Sequence, residues 1–283
     1  MKFTPEMKKH WDENGCIHIP GVITPELAAR LEKICDGIIE RFKTLNPETG
    51  EPGKEAANQV RKIEHPDYHE NVDDRLLIME TLAAPGILEF VEGIIGKETR
   101  FLTSTLFHDI DIGHSDGGWH RDTQFIYPDI DEQKKMITAP NDLADAQVMI
   151  ALVPSEDSEY VPGSHKRWDT PEEIEIRLGE YGKNSESNEM PGAKRMKLEI
   201  GDLFAFNPNG LHRGRYHTDK PRRTIMGSFG DIAQTPKFFF SYQPWYLNEG
   251  FLDGLSDEAR AFYQLYINKY QDFWHNGPVP DYV

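Results

Sequence analysis

The sequence predicts a mainly β domain, a sandwich or barrel, with flanking helices. Three observations carry this. From residue 99 onward, short apolar or alternating runs follow one another between Gly, Pro and Asp turn residues: "TRFLTSTLF", "WHRDTQFIY", "AQVMIALVP", "SEYVPG", "KRMKLEI", "DLFAFNP", "RTIMGSFG" and "FFFSYQPW". Many short strands with such punctuation close into a sandwich or barrel. On either side of that region the apolar period lengthens to three and four residues, the period of a buried helix face. The chain of 283 residues, 38% hydrophobic and 11% aromatic, is long and apolar enough for one sizeable core.

The elements follow in order. Thr24-Pro25-Glu26 opens a helix, with Thr24 as N-cap, Pro25 in the first turn and Glu26 beside the positive end of the dipole. Leu27, Leu31, Ile34, Ile38 and Phe42 give it one apolar stripe to about Phe42. Residues 44–60 are polar, with "NPETGEPGK" at their centre, and read as a loop. "APGILEFVEGIIG", 84–96, is a second helix closed by Gly96. "DEARAFYQLYINKYQDFW", 257–274, returns to helix with Phe262, Tyr266, Tyr270 and Phe273 on one stripe, for core packing or a subunit contact rather than a cofactor. The expectation is one domain over 1–283: helices to about 98, a β core from about 99 to 245, and a C-terminal helix over about 256–274.

Charge narrows the partners. Asp+Glu number 48 against 31 Lys+Arg, a net charge of −17. So acidic a surface repels nucleic-acid phosphates and anionic lipid. No apolar run approaches the ~18 residues of a membrane helix, and "MKFTPEMKKHW" has no apolar core of a secretory signal. Cys16 and Cys35 do not make a disulfide framework. Two reduced cysteines suit a cytoplasmic protein whose partner is a small molecule.

Chemistry concentrates in "GGWHRDTQF", 117–125. On a strand, His120 and Asp122 would share one face with Arg121 turned away. A nitrogen and an oxygen ligand on one face call for a third. Two histidines and a carboxylate leave three octahedral positions open, the arrangement of non-haem Fe(II) oxygenases. In a chain with 11 histidines such a pair also arises by chance. "GDLFAFNPNGLHRGRYHTDKPRRTI", 201–225, changes the odds. His212 follows a buried strand, and an arginine suited to gripping a carboxylate by two parallel hydrogen bonds comes ten residues later.

With these residues in view the chain resembles the phytanoyl-CoA dioxygenase family of Fe(II)/2-oxoglutarate-dependent oxygenases. "NGCIHIPGVITPELAARL", "WHRD", "YVPGSHKRW" and "GDLFAFNPNGLH…KPRRTI" match in the family's order, over roughly residues 3–230. The resemblance implies a double-stranded β-helix (jelly-roll, cupin-like) core. It implies Fe(II) on His120, Asp122 and His212, with 2-oxoglutarate and O2 as cosubstrates. Arg222 would hold the distal carboxylate of 2-oxoglutarate, with Arg223 as the alternative. Alternation gives the place to whichever shares the inward face with Thr224, which is Arg222. Ser104, Thr105 and Lys62 are further candidates for cosubstrate contact. Trp119, Gln124, Phe125, Tyr127, Arg213 and Arg215 are candidates for the substrate side. A pocket lined by Arg213 or Arg215 would favour an anionic substrate. The implied reaction is hydroxylation of a small polar or anionic metabolite with release of succinate and CO2. Halogenating relatives lack the carboxylate that Asp122 supplies. His165, in "PGSHK", belongs to a structural turn. Departures from the family are Arg213-Gly214-Arg215, where relatives carry Gly-Ser, and "SEDSEY", read as a loop, where they carry Asn-Gly.

Two other readings are open to test, and a third is excluded by the sequence itself. "HRD" occurs in protein kinases, but position 127 is Tyr where those have Asn, and no Asp-Phe-Gly follows. A zinc hydrolase could use the same three ligands but has no need of the following arginine. A non-catalytic 2-oxoglutarate-binding module would keep the pocket without the turnover.

Overall fold

A computed structural model describes residues 2–47, 58–96, 98–110, 114–139, 145–217, 219–233 and 242–276. Two antiparallel sheets lie face to face, with helices packed on the outside of the larger. The elements run α1 (Pro5–Asn14), β1 (Cys16–Ile19), α2 (Pro25–Leu45), β2 (Gln59–Arg61), α3 (Val72–Leu82), α4 (Pro85–Ile95) and β3 (Thr99–His108). They continue with β4 (His114–Asp116), α5 (Thr123–Ile126), α6 (Ile130–Thr138), β5 (Asp145–Ala151), β6 (Ser155–Tyr160) and α7 (Pro171–Leu178). The chain ends with β7 (Lys194–Leu198), β8 (Leu203–Phe206), β9 (His212–His217), β10 (Arg223–Asp231) and α8 (Asp257–Asn276). The larger sheet has the order β1-β8-β5-β10-β3-β2, and the smaller β4-β9-β6-β7. This is the double-stranded β-helix.

The helices form where their ends are satisfied. Thr24 Oγ1 accepts from the Leu27 N–H, and α2 buries Ala28, Leu31, Ile34, Cys35, Ile38 and Ile39 along one side. Such a cap contributes about 1 kcal/mol. In α4 the Pro85 start and the Gly96 cap fall where the sequence puts them. In α8 the buried stripe is Phe262, Tyr263, Tyr266, Tyr270 and Trp274. Four-residue spacing after Tyr270 selects Trp274, so Phe273 lies at the margin of the core instead.

Strand alternation divides the larger sheet into two faces. Val148, Ile150, Leu203, Ala205, Leu106 and Ile225 face outward into the main core under the helices. Met149, Ala151, Phe204, Phe206 and Met226 face inward and meet Tyr160, Met196 and Leu198 of the smaller sheet. The functional side chains are drawn from this inner space.

Several segments depart from the sequence expectation. "SEDSEY" is strand β6, because its backbone pairs with both β7 and β9. Gln59–Arg61, at the end of the expected loop, pairs with β3 as an edge strand. "WHRDTQFIY" is not a strand: after one bridge at His120 the chain turns into α5. Helices α1, α3, α6 and α7 and strand β9 add to the expected set. Residues 48–57 of the expected loop and 238–241 of "FFFSYQPW" lie outside the described residues.

Candidate metal centre

His120 and His212 are directly opposed across an antiparallel bridge. Each donates its N–H to the other's carbonyl at 3.0 Å. Directly opposed residues of an antiparallel pair project to the same face, and the two imidazole centroids stand 4.3 Å apart. Gly117 permits this approach: its N–H donates to the Gly214 carbonyl at 2.8 Å. A Cβ there would lie 2.6 Å from that oxygen.

Asp122 joins them by a different route from the one alternation suggests. Its backbone is helical (φ −62°, ψ −24°), and its N–H donates to the Pro208 carbonyl at 2.9 Å. Its Oδ1 lies 3.7 Å from His120 Nε2 and 3.5 Å from His212 Nε2. Among the described residues these three side chains form the one group with metal-ligand spacing.

The tautomers fit a cation. His120 Nδ1 lies 2.7 Å from the Gly118 carbonyl, and His212 Nδ1 lies 2.9 Å from the Gly210 carbonyl. A carbonyl only accepts, so each Nδ1 carries the proton and each Nε2 presents a lone pair to the cluster. Burial, reinforced by His212 alongside, holds the His120 imidazole down at about 4. The ring is therefore neutral at pH 7, as a metal ligand must be. Two imidazole nitrogens and one carboxylate oxygen suit a divalent transition ion with open positions.

Arg121, between the two ligands, points the other way and is fully buried. Its Nε and Nη2 donate to Asp169 Oδ1 at 2.8 and 2.6 Å. Nη1 reaches the carbonyls of Ser164 (2.8 Å) and Asn209, and Nη2 that of Arg167 (3.2 Å). All five guanidinium hydrogens are thus used. Arg177 Nε donates to the other Asp169 oxygen at 2.8 Å, and its Nη1 to Gln124 Oε1 at 3.0 Å. The network ties the His120–Asp122 segment to the turn before His212.

The two arginine candidates separate by face. Thr224 pairs with Phe107 and Ala151, and Arg222 shares its inward side. Arg222 is 2% exposed, with its guanidinium over the Tyr216 ring (4.7 Å) and the Phe107 ring (5.0 Å). One Nη1 hydrogen goes to the Arg215 carbonyl at 2.9 Å. Nε has no acceptor among the described residues. Arg223 points outward and is engaged by Asp36 (2.7 Å) and Asp109.

The structure sorts the remaining candidates. Thr105 is buried opposite Met226, facing inward. Phe125 is 69% exposed, with its ring 5.5 Å from that of His120. Ser104 faces the helices, where its hydroxyl donates to the buried Glu64 carboxylate. Lys62 extends over the Trp245 ring, outside the sheet. Trp119 packs with Val161, Met190 and Leu211, and its Nε1 donates to the Ser187 carbonyl. Gln124 is held by Arg177. Tyr127 is half-buried on the turn after α5, where its carbonyl accepts from Gln133.

Arg213 and Arg215 are a correction. His212, Gly214 and Tyr216 take the inward side of β9, which turns both arginines outward onto Glu159. The case for an anionic substrate drawn from them falls with that placement. His165 lies against Gly15, in the turn and away from the cluster. The sequence reading missed Gln147, whose Nε2 donates to Asp122 Oδ2 at 2.6 Å. The signal was there: Gln147 is the polar residue inside "AQVMIALV", two places from Met149 and so on its face.

Comparisons with known proteins bear on the family and the fold. The family model described as phytanoyl-CoA dioxygenase matches residues 11–224. EctD from S. alaskensis, solved with 2-oxoglutarate and 5-hydroxyectoine, superposes with a TM-score of 0.61 at 15% identity, over 91% of this chain and 86% of that one. HygX from Streptomyces hygroscopicus, solved with nickel and 2-oxoglutarate bound, gives 0.56 at 17% identity, over 83% and 90%. AviO1 from Streptomyces viridochromogenes Tue57 gives 0.56 at 18% identity, over 83% and 98%. At such identities the likeness is one of fold. No curated protein matches the sequence.

Proposed function

Because this chain belongs to the phytanoyl-CoA dioxygenase family, we propose that His120, Asp122 and His212 hold Fe(II) in a 2-oxoglutarate-dependent dioxygenase that hydroxylates a small polar metabolite. The observation that carries this is the convergence of one ligand atom each from His120, Asp122 and His212 to within 4.8 Å of one another. Bound Fe(II) would supply the oxidative chemistry: O2 is reduced, 2-oxoglutarate is decarboxylated to succinate and CO2, and a C–H bond is oxidised.

The chain's own residues bind and orient. Arg222 takes the distal carboxylate of 2-oxoglutarate, since its guanidinium is buried with Nε directed at no protein acceptor. Phe107 and Tyr216 fix its plane and keep water from it. Thr105 offers a hydroxyl on the same inner surface. Phe125, beside His120 and open to solvent, stands where substrate would approach. The two free cysteines and the lack of any described helix able to cross a membrane are in keeping with a cytoplasmic reaction.

The test is succinate formation from 2-oxoglutarate by purified protein given Fe(II) and O2. The reading requires Fe(II)-dependent succinate above background, lost in Asp122→Ala. Equal succinate from both proteins would refute it.

A further inference from the structure

We infer that Gln147 is a positioning residue for the metal centre: it holds Asp122 so that one carboxylate oxygen, Oδ1, serves as the ligand. This rests on the reading of the three side chains as a metal site.

The geometry separates the two oxygens of Asp122. Oδ2 accepts from Gln147 Nε2 at 2.6 Å. Oδ1 is the oxygen that stands 3.7 and 3.5 Å from the two imidazole Nε2 atoms. A carboxylate only accepts, so the Gln147 amide must present its NH2 group, which fixes the amide orientation as well. A hydrogen bond to an ionised acceptor is among the stronger kinds. It stops the carboxylate from rotating and keeps Oδ2 engaged.

The support comes from a rigid part of the fold. Asp122 sits where the chain leaves its single bridge and turns into α5. Gln147 sits on β5, between β8 and β10 in the larger sheet. It pairs with Phe206 on one side and Ser228 on the other. The sheet thus reaches across to Asp122 through one amide. The Arg121 network holds the backbone beside Asp122, and Gln147 bonds its carboxylate directly.

Hydrogen-bond partners of metal ligands typically change metal affinity by about 10- to 100-fold when removed. Gln147→Leu keeps the size and removes the donor. Gln147→Asn keeps the amide and shortens its reach. Val148→Ala truncates the neighbouring side chain, which points to the opposite face and is fully buried. It reports what mere loss of packing on β5 does.

The experiment titrates Mn(II) into metal-free wild-type, Gln147→Leu, Gln147→Asn and Val148→Ala protein, following bound metal by electron paramagnetic resonance, and records Tm without metal. The expected result is Mn(II) affinity lower by about 10- to 100-fold in Gln147→Leu and by a smaller factor in Gln147→Asn. Val148→Ala should lower Tm and leave Mn(II) affinity unchanged. Wild-type affinity in Gln147→Leu overturns the inference, as does an equal loss in Val148→Ala. Failure of the wild-type protein to bind Mn(II) would overturn the metal-site reading itself, and this inference with it.

Discussion

Arg121 and Asp169 form a fully buried ion pair, with two guanidinium nitrogens within 2.8 Å of one carboxylate oxygen. The pair lies directly behind His120 and Asp122, because Arg121 is the residue between them. It is extended by Arg177 on the other Asp169 oxygen and closed by three backbone carbonyls. Removing one partner leaves an uncompensated buried charge.

Arg121→Gln should therefore destabilise the fold by about 3–5 kcal/mol. Urea unfolding of both proteins measures it. A loss under ~1 kcal/mol, the worth of an exposed pair, would mean that the network is not load-sharing in solution.

Arg222 and Arg223 are adjacent but face opposite ways, and the variants should behave differently. Arg222→Gln should raise the KM for 2-oxoglutarate by about 30-fold or more, as loss of a buried charge partner costs ~2 kcal/mol or above. Arg223→Gln should leave that KM unchanged and cost about 1 kcal/mol of stability through its pairs with Asp36 and Asp109. Succinate formation at varied 2-oxoglutarate checks both. The opposite pattern would assign the anchor to Arg223.

Glu64 predicts a pH effect on stability. Burial raises its carboxyl above the usual carboxylate range, against hydrogen bonds from Ser104 and Tyr246 and the charge of Lys62. A raised folded-state value means that the native protein holds the proton longer than the unfolded chain. Stability from this group is full below the unfolded value, about 4.3, and is lost as pH rises through the folded one. Glu64→Gln removes that loss. The Tm difference between variant and wild type should grow in favour of Glu64→Gln from pH 4 to pH 7. A constant difference would show that Glu64 is not buried as a carboxyl.

Much of this was legible in the sequence, for identifiable reasons. The ends of α2 and α4 are written in local chemistry: Thr24 and Pro25 at one start, Gly96 at one end. His120, Asp122 and His212, which the fold brings together, stood out as histidines and a carboxylate beside turns. Alternation put Arg222 on the side of Thr224, and it is so placed although pairing begins only at Arg223: its guanidinium lies over the Phe107 ring, which is paired with Thr224. The same rule misdescribed His120–Asp122, where pairing stops after one bridge. It brought the right residues together for the wrong reason: cross-strand opposition places His120 beside His212, and a helical turn brings in Asp122. Arg213 and Arg215 were misplaced because the inward face of β9 depends on its partners β4 and β6, and pairing is a long-range property. Ser104 failed likewise. Its strand was clear, but the hydrogen bond to Glu64 that marks it as outward-facing spans forty residues.

The central claim is that His212, from a distant strand, completes a metal centre with His120 and Asp122. The most direct test is an Fe(II) titration under argon with 2-oxoglutarate present, comparing wild type with His212→Ala. The account predicts a single Fe(II) per chain in the wild type, with the visible charge-transfer band of an iron–2-oxoglutarate complex. In His212→Ala, that band should be absent and the iron weakly held. An undiminished band in His212→Ala would contradict it.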